Sequence, residues 1–402
     1  MPLIKSEVLS DDPKFPFGNS VFSFFEKYHV FKTVESYYFY PWPEECNTGT
    51  SAIDLLEIDY TAEVIFWIPM DSFIDQNPYN YYTSSKPEEL KKVEKICKLH
   101  PDSTFIFLPN FYNLNNLLSV PNLFSVDNMI NTKFRKKYKR CDNKKFDSKK
   151  WVCLNRRDEP HRVALISYLL SKDLDKFGLI SSSDSIEDSN NINLILKYFK
   201  FKYKDQENIL RGFSRLRTNN FEKLITKQYP KETLVDTITG EITGDCMQNY
   251  HENLFPVYEK TALEIISCSI FSEPTPTFGE KEIQSVYAKN FPIFIGSKGT
   301  ANKFRDIWGI DIFEDIIDHS YDNIDDPTKR LKAAVDLNIH LLNGSNPIDE
   351  IWFKNKPRFE KNCAHMDKLL YDSIYQRNFD HERIKIGLDH FNIKYSKKSN
   401  IN

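Results

Sequence analysis

Short apolar runs that alternate with helical segments constrain this chain more than any other feature. Val64-Ile65-Phe66-Trp67-Ile68 is closed by Pro69, and Thr104-Phe105-Ile106-Phe107-Leu108 follows further on. Each is too short for a helix and rich in β-branched and aromatic residues, so each reads as a buried strand. Between them Ser85-Lys86-Pro87-Glu88 makes a capping box with proline early in the helix. Leu90, Val93, Ile96 and Cys97 mark one face of that helix, and Pro101 stops it. Strand, helix, strand is the order of a parallel crossover.

The pattern returns twice. Trp151-Val152-Cys153-Leu154 is a strand, Asp158-Glu159-Pro160 opens a helix with Val163, Ile166, Leu169 and Leu170 on one face, and Phe177 to Ser181 is a strand again. The stretch 182–255 is polar and weakly patterned and reads as an insertion. Ala262 to Ile270 is the next strand, followed by a proline-containing loop, a helix from Glu280 to Lys289 and a strand from Phe291 to Ile295. A helix from Thr300 to Trp308 is stopped by Gly309, and Pro327 starts another with Leu331, Ala334, Val335, Ile339 and Leu342 on one face. The expected class is α/β, with two parallel sheets.

A chain of 402 residues is long enough for two domains. The break falls at 131–150, NTKFRKKYKRCDNKKFDSKK, which is basic and poor in aliphatic side chains. It reads as a solvated linker, or alternatively as a patch that meets phosphate. The expected division is 1–130, a basic linker 131–150, 151–345, and a helical tail 346–402.

Composition excludes several classes. The 54 basic residues face 57 acidic ones, so the bulk charge gives no argument for nucleic acid. The seven cysteines are odd in number and form no CxxC, which favours free thiols in a reducing compartment. The start, MPLIKSEVLSDDPK, has no apolar core of a signal peptide, and no stretch reaches the ~20 apolar residues of a membrane span. A cytoplasmic protein with no membrane partner is expected. There is no GxGxxG, no GxxxxGK[ST], no HExxH and no GxSxG, and the nine His are scattered. No metal ligand set is expected. Asp173-Leu174-Asp175 reads as a solvated helix end, and Asp325-Asp326-Pro327 as a helix cap.

Two places combine chemistry with position. In Leu154-Asn155-Arg156-Arg157-Asp158-Glu159-Pro160-His161-Arg162 a strand ends and a helix begins. Ligands of open α/β sheets bind outside the carboxyl ends of strands, and a helix N-terminus favours an anion. Arg157 has acidic neighbours to pair with. Arg162 stands in the first turn, where the helix dipole disfavours a cation, so a bound anion is the better explanation for it. The second place is Glu264 in an otherwise apolar strand, followed by Phe278-Gly279-Glu280-Lys281 opening a helix. A buried carboxylate needs a partner, and Lys281 suits a phosphate.

These segments resemble the donor-binding domain of two-domain GT-B glycosyltransferases, nearest to the fucosyltransferase and exostosin-like group, including forms carried by phages. The resemblance rests on Val152-Cys153-Leu154-Asn155 with Arg162 in the next helix, on Glu264, and on Gly279-Glu280-Lys281 followed by Phe291-Pro292-Ile293-Phe294-Ile295-Gly296. It covers roughly 150 to 340, with 182–255 poorly matched. Gly279 stands where the group usually has Thr or Ser, and Leu263-Glu264-Ile265 where it has aromatic–Glu–Asn. The resemblance implies two Rossmann-like domains with parallel sheets facing a cleft. It implies metal-independent transfer of a sugar from a nucleotide-sugar, the co-substrate, to an acceptor hydroxyl of a glycan or other molecule, with no further cofactor. The donor-binding residues would be Asn155, Arg156, Arg162, Glu264, Glu280 and Lys281. Arg and Lys would hold the diphosphate, and the acids the ribose or the sugar. A viral source would place it in the host cytoplasm.

Trp67-Ile68-Pro69-Met70-Asp71-Ser72 resembles the group's acceptor-side segment, with Asp71 where Glu stands there, and makes Asp71 the candidate base. Asp59, Asp75 and His29 compete with it. Two other readings stay open. One is a catalytically silent nucleotide- or carbohydrate-binding protein on the same scaffold. The other is a glycosyltransferase acting on modified DNA bases, which the 131–150 stretch with Phe134, Tyr138 and Phe146 would permit.

Overall fold

The structure is a computed structural model that describes residues 4–7, 24–39, 62–69, 88–107, 115–119, 140–155, 160–181, 203–218, 255–268, 271, 278, 280–372 and 378–398. Its strands are β1 (Ile4–Glu7), β2 (Tyr28–Val30), β3 (Val34–Phe39), β4 (Val64–Pro69), β5 (Thr104–Phe107), β6 (Leu117–Ser119), β7 (Trp151–Leu154), β8 (Gly178–Ser181), β9 (Leu263–Ser267), β10 (Phe291–Ile295) and β11 (Tyr395–Lys397). Its helices are α1 (Glu88–Leu99), α2 (Pro160–Ser171), α3 (Tyr203–Thr218), α4 (Phe255–Tyr258), α5 (Glu280–Ala288), α6 (Thr300–Trp308), α7 (Pro327–Leu337), α8 (Ile339–Leu342), α9 (Ile348–Lys354), α10 (Lys356–Tyr371) and α11 (Asn378–His390). The class is α/β with parallel sheets. Contacts divide the chain into two units, Met1–Asn128 with Lys368–Asn402, and Met129–Asp367. No helix among the described residues is long and apolar enough to cross a membrane.

The first unit holds a five-stranded sheet in the order β1-β3-β4-β5-β6, every pair parallel. Val64, Ile65 and Phe66 are all fully buried, as an unbroken apolar run requires of a strand covered on both faces. The chain's end completes this unit. β11 pairs antiparallel with β2, with Tyr395 opposite Val30. α11 sets Ile384 and Leu388 into one cluster with Phe24, Phe25, Phe66 and Ile106. Gly387 allows that approach, since a Cβ there would lie 2.9 Å from Cγ2 of Ile106. The 346–402 tail is thus divided: its part up to Asp367 packs in the second unit.

The second unit holds a parallel sheet in the order β10-β9-β7-β8. All five residues of β9 and of β10 are buried, as parallel strands covered on both faces require. The indole of Trp151 donates from Nε1 to the carbonyl of Leu342 at 2.9 Å, fixing α8 to the sheet. α3 lies within the stretch expected to be a weakly patterned insertion. Its Ile209 and Phe213 are buried, and Gly212 meets α2 so closely that a Cβ would fall 1.8 Å from the carbonyl oxygen of Ser167. Ile209 and Phe213 stand four apart, a helical signal diluted by the charged residues around them.

The basic stretch also differs from a solvated linker over its described part, 140–150. Lys144 is buried and donates to the carbonyls of Tyr258 at 2.8 Å and Thr261 at 2.6 Å, and to Oδ1 of Asn290. Burial pulls its pKa down to about 8. The Phe146 ring packs edge-on against Trp352 and Phe353. Local caps hold as expected. Asp326 accepts from the Lys329 amide at 2.9 Å with Pro327 following it, and Gly309 closes α6 at φ 68°.

Candidate functional site

Strand order locates the site. In the first unit the described strands follow one another across the sheet in chain order. In the second, the chain leaves β7 for β8 on one side and returns to β9 on the other. The order reverses between β7 and β9, and ligands of such sheets bind in the crevice outside the carboxyl ends at that point. The residues there are Asn155 after β7, Ser267 and Cys268 at the end of β9, and the first turns of α2 and α5.

Arg162 is 5% exposed in the first turn of α2. His161 beside it sets Nε2 3.1 Å from the carbonyl oxygen of Cys268 and stacks on Phe271 with ring centroids 5.2 Å apart. A carbonyl only accepts, so Nε2 carries the proton. Burial first, then the Arg162 charge, pushes the His161 pKa well below its ordinary value, so the ring is neutral. Lys281, in the first turn of α5, donates from Nζ to the carbonyl of Ser267 at 3.1 Å. His161 and Lys281 thus reach the consecutive carbonyls of Cys268 and Ser267, so the first turns of α2 and α5 meet the same edge, and the charges of Arg162 and Lys281 both act on the His161 ring.

Asn155 is buried. Its amide donates to Oγ of Ser181 at 2.9 Å, and Ser181 Oγ donates back to the Asn155 carbonyl at 3.2 Å, joining the ends of β7 and β8. Its Nδ2 donates to Sγ of Cys153 at 3.2 Å. The Cys153 thiol is pushed up to about 12 and that of Cys268 well above its ordinary value, chiefly by burial, so neither is a thiolate nucleophile at neutral pH.

Arg330 is a residue that sequence reasoning missed. It is 2% exposed, and its Nε donates to the Gly296 carbonyl at 3.1 Å, at the end of β10. Nη1 donates to the carbonyls of Ile324 at 2.6 Å and Asp325 at 3.2 Å, and the guanidinium faces the Phe271 ring at 5.4 Å. The signal was the one that singled out Arg162, an arginine in the first turn of a helix. Here the partners are backbone carbonyls. The N-terminus of α6 carries an internal anion: Asp322, buried, accepts from the Asn302 amide at 3.0 Å.

Glu264 stands elsewhere. It is the second residue of β9, opposite Val152 and Pro292, three residues before Ser267. At ~3.3 Å per residue this is about 10 Å back along the strand from the carboxyl edge. Its Oε1 accepts from the Tyr258 hydroxyl at 2.9 Å, and burial raises its pKa to about 7 against the pull of Tyr258, Ser285, Lys281 and Lys144. The structure therefore brings Asn155, Arg162 and Lys281 together and leaves Glu264 in the interior of the sheet.

Glu280 opens α5, but its side chain lies outside the described residues, as do Asp71 and Arg156 whole. Of the competing acceptor-side residues, His29 is exposed in β2. Asp173 is exposed and left-handed at φ 57°, as a solvated helix end should be. Among the described residues no group of three or more His, Cys, Asp or Glu is placed to hold a metal ion. No family model and no curated protein matches the chain.

Proposed function

We propose that this protein is a glycosyltransferase that moves a sugar from a nucleotide-sugar donor to an acceptor hydroxyl. One observation carries the reading: Arg162 and Lys281, from two helix N-termini, stand together at the point where the strand order of the second sheet reverses. Two cations and two helix dipoles at one crevice favour a diphosphate. In this reading the two parallel-sheet units are the halves of a GT-B-type enzyme, the second taking the donor and the first the acceptor.

The chemistry follows from charge. As the bond from the sugar's anomeric carbon to the diphosphate oxygen breaks, its electron pair goes to the diphosphate. Arg162 and Lys281 oppose the charge that builds there, the task a divalent cation performs in other enzymes. The acceptor oxygen forms the new bond and gives its proton to a carboxylate, for which Asp71 is the candidate. Glu264 is not assigned to the donor, because it stands about 10 Å back from the carboxyl edge, with one of its oxygens held by Tyr258.

The DNA-modifying reading loses two of its features, since Lys144 and Phe146 are used inside the second unit. The test is a thermal-shift screen against UDP, GDP, CDP, ADP and their sugars, followed by turnover with an acceptor panel. A ligand at ~100 times its dissociation constant adds about 2.7 kcal/mol, a visible shift. A shift with one nucleotide, lost in Lys281→Ala, and release of that nucleotide from its sugar support the reading. Binding without turnover favours the silent binding protein, and no shift with any nucleotide overturns the glycosyltransferase reading and leaves a carbohydrate-binding protein on the same scaffold.

A further inference from the structure

The donor reading assigns the phosphates and leaves three other groups at the same edge unused. Asn155 Oδ1, Ser267 Oγ and Ser297 Oγ are each shielded from solvent and make no hydrogen bond. Native proteins seldom leave such atoms unpaired. Other shielded polar atoms in this chain lack partners too, but these three form a row. They follow β7, end β9 and follow β10, three neighbouring strands, at the ends where ligands bind.

Two of them are side by side. The β7–β9 register pairs Trp151 with Leu263 and Val152 with Glu264, and continuing it sets Asn155 opposite Ser267. Both then lie on the face shared by Trp151 and Leu263, with strands ~4.8 Å apart. This is the face opposite Glu264.

From this juxtaposition we propose that Asn155 and Ser267 bind a vicinal diol of the ligand, with Ser297 beside them. The inference rests on the glycosyltransferase reading and deepens it. One N–H of Asn155 Nδ2 is given to Cys153, and the atom left without a hydrogen bond is the acceptor Oδ1. An acceptor repels phosphate oxygens and asks for an O–H or N–H. The serine hydroxyl donates or accepts, and each hydroxyl of a diol does both, so the pair and the diol satisfy one another. A flat nucleobase would want an open aromatic face, but Phe271, the ring at this edge, is stacked by His161 and faced by Arg330. Of the two acids that the family resemblance would give to the ribose or the sugar, Glu264 lies on the other face of the sheet. The neutral pair takes that work instead. Because both oxygens are shielded, the diol enters with a local opening of the edge.

The diol belongs either to the nucleotide's ribose or to the transferred sugar, and one set of titrations separates these. Wild type, Ser267→Ala and Asn155→Ala are titrated with the nucleoside diphosphate that gives the largest thermal shift, with its 2′-deoxy form, and with its nucleotide-sugar. Removing an unpaired hydroxyl leaves the melting temperature of ligand-free Ser267→Ala at or above that of wild type, which shows that its fold is intact. A loss of about tenfold in affinity for the diphosphate, absent with the 2′-deoxy form, assigns the pair to the ribose. A loss of that size confined to the nucleotide-sugar assigns it to the transferred sugar. Equal affinity of wild type and both variants for all three ligands overturns the inference while the donor reading stands. Failure of wild type to bind any of them overturns both.

Discussion

Lys281 Nζ lies 3.1 Å from the main-chain carbonyl oxygen of Ser267, so the first turn of α5 is tied to the carboxyl end of β9. The same ammonium acts on Cys153, His161, Glu264 and Cys268, four groups drawn from β7, α2 and β9 and its end. Burial is the larger influence on each of the four, and Lys281 adds a positive charge common to all of them.

Lys281→Ala should separate binding from stability. The lost bond to Ser267 is worth about 1 kcal/mol, and the side chain is only half-buried. Urea unfolding should move by about 1–2 kcal/mol, whereas affinity for a nucleoside diphosphate should fall at least tenfold. A variant that unfolds early, or one that binds as wild type does, contradicts the role given to Lys281.

Glu264 should make the second unit's stability depend on pH. Its folded pKa, about 7, lies above the ordinary 4.5, so the contribution is full below 4.5 and is lost as the pH rises through 7. Glu264→Gln cannot ionise and should lose none of it. The difference in melting temperature between Glu264→Gln and wild type should grow by several degrees from pH 4.5 to pH 8, since a shift of this size corresponds to roughly 3 kcal/mol. A constant difference across that range would show that the carboxyl is not held protonated.

Gly212→Ala tests the packing of α3 on α2. The added methyl would fall 1.8 Å from a backbone oxygen, which cannot swing aside as a side chain does. A loss of more than ~2 kcal/mol is expected in equilibrium unfolding, despite the higher helix propensity of alanine. A gain in stability would mean that the two helices are not in contact.

Leu388→Ala tests whether the chain's end belongs to the first unit. Leu388 is fully buried in the cluster with Phe24, Phe66 and Ile106. Truncating it should cost about 2–5 kcal/mol in the unfolding of the first unit. Hydrogen exchange should show the loss along β4 and β5 and spare β9 and β10.

Much of this was legible along the chain because it is local. Val64 to Ile68, Trp151 to Leu154 and Phe291 to Ile295 are strands because short runs of β-branched and aromatic residues bury well in an extended form. Asp326 before Pro327 caps α7, and Gly309 ends α6, because those backbone conformations need those residue types. β3 and β6 carry no comparable unbroken run of aliphatic residues, and α3 is masked by its own charge.

The sequence by itself determined the α/β class, the parallel crossovers and the placing of Asn155, Arg162 and Lys281 where a strand or a helix begins or ends. Short-range sterics and the burial period decide such things within a few residues. Only the tertiary structure decided that β9 returns beside β7, because that order depends on pairings between residues more than a hundred positions apart, such as Trp151 with Leu263. The same long-range packing buried Lys144 under the carbonyls of Tyr258 and Thr261 and set Glu264 against Tyr258 rather than at the edge. It also placed Asn155 across from Ser267. A residue's type states what partner it needs, and the free energy of the whole packed sheet decides which one it gets.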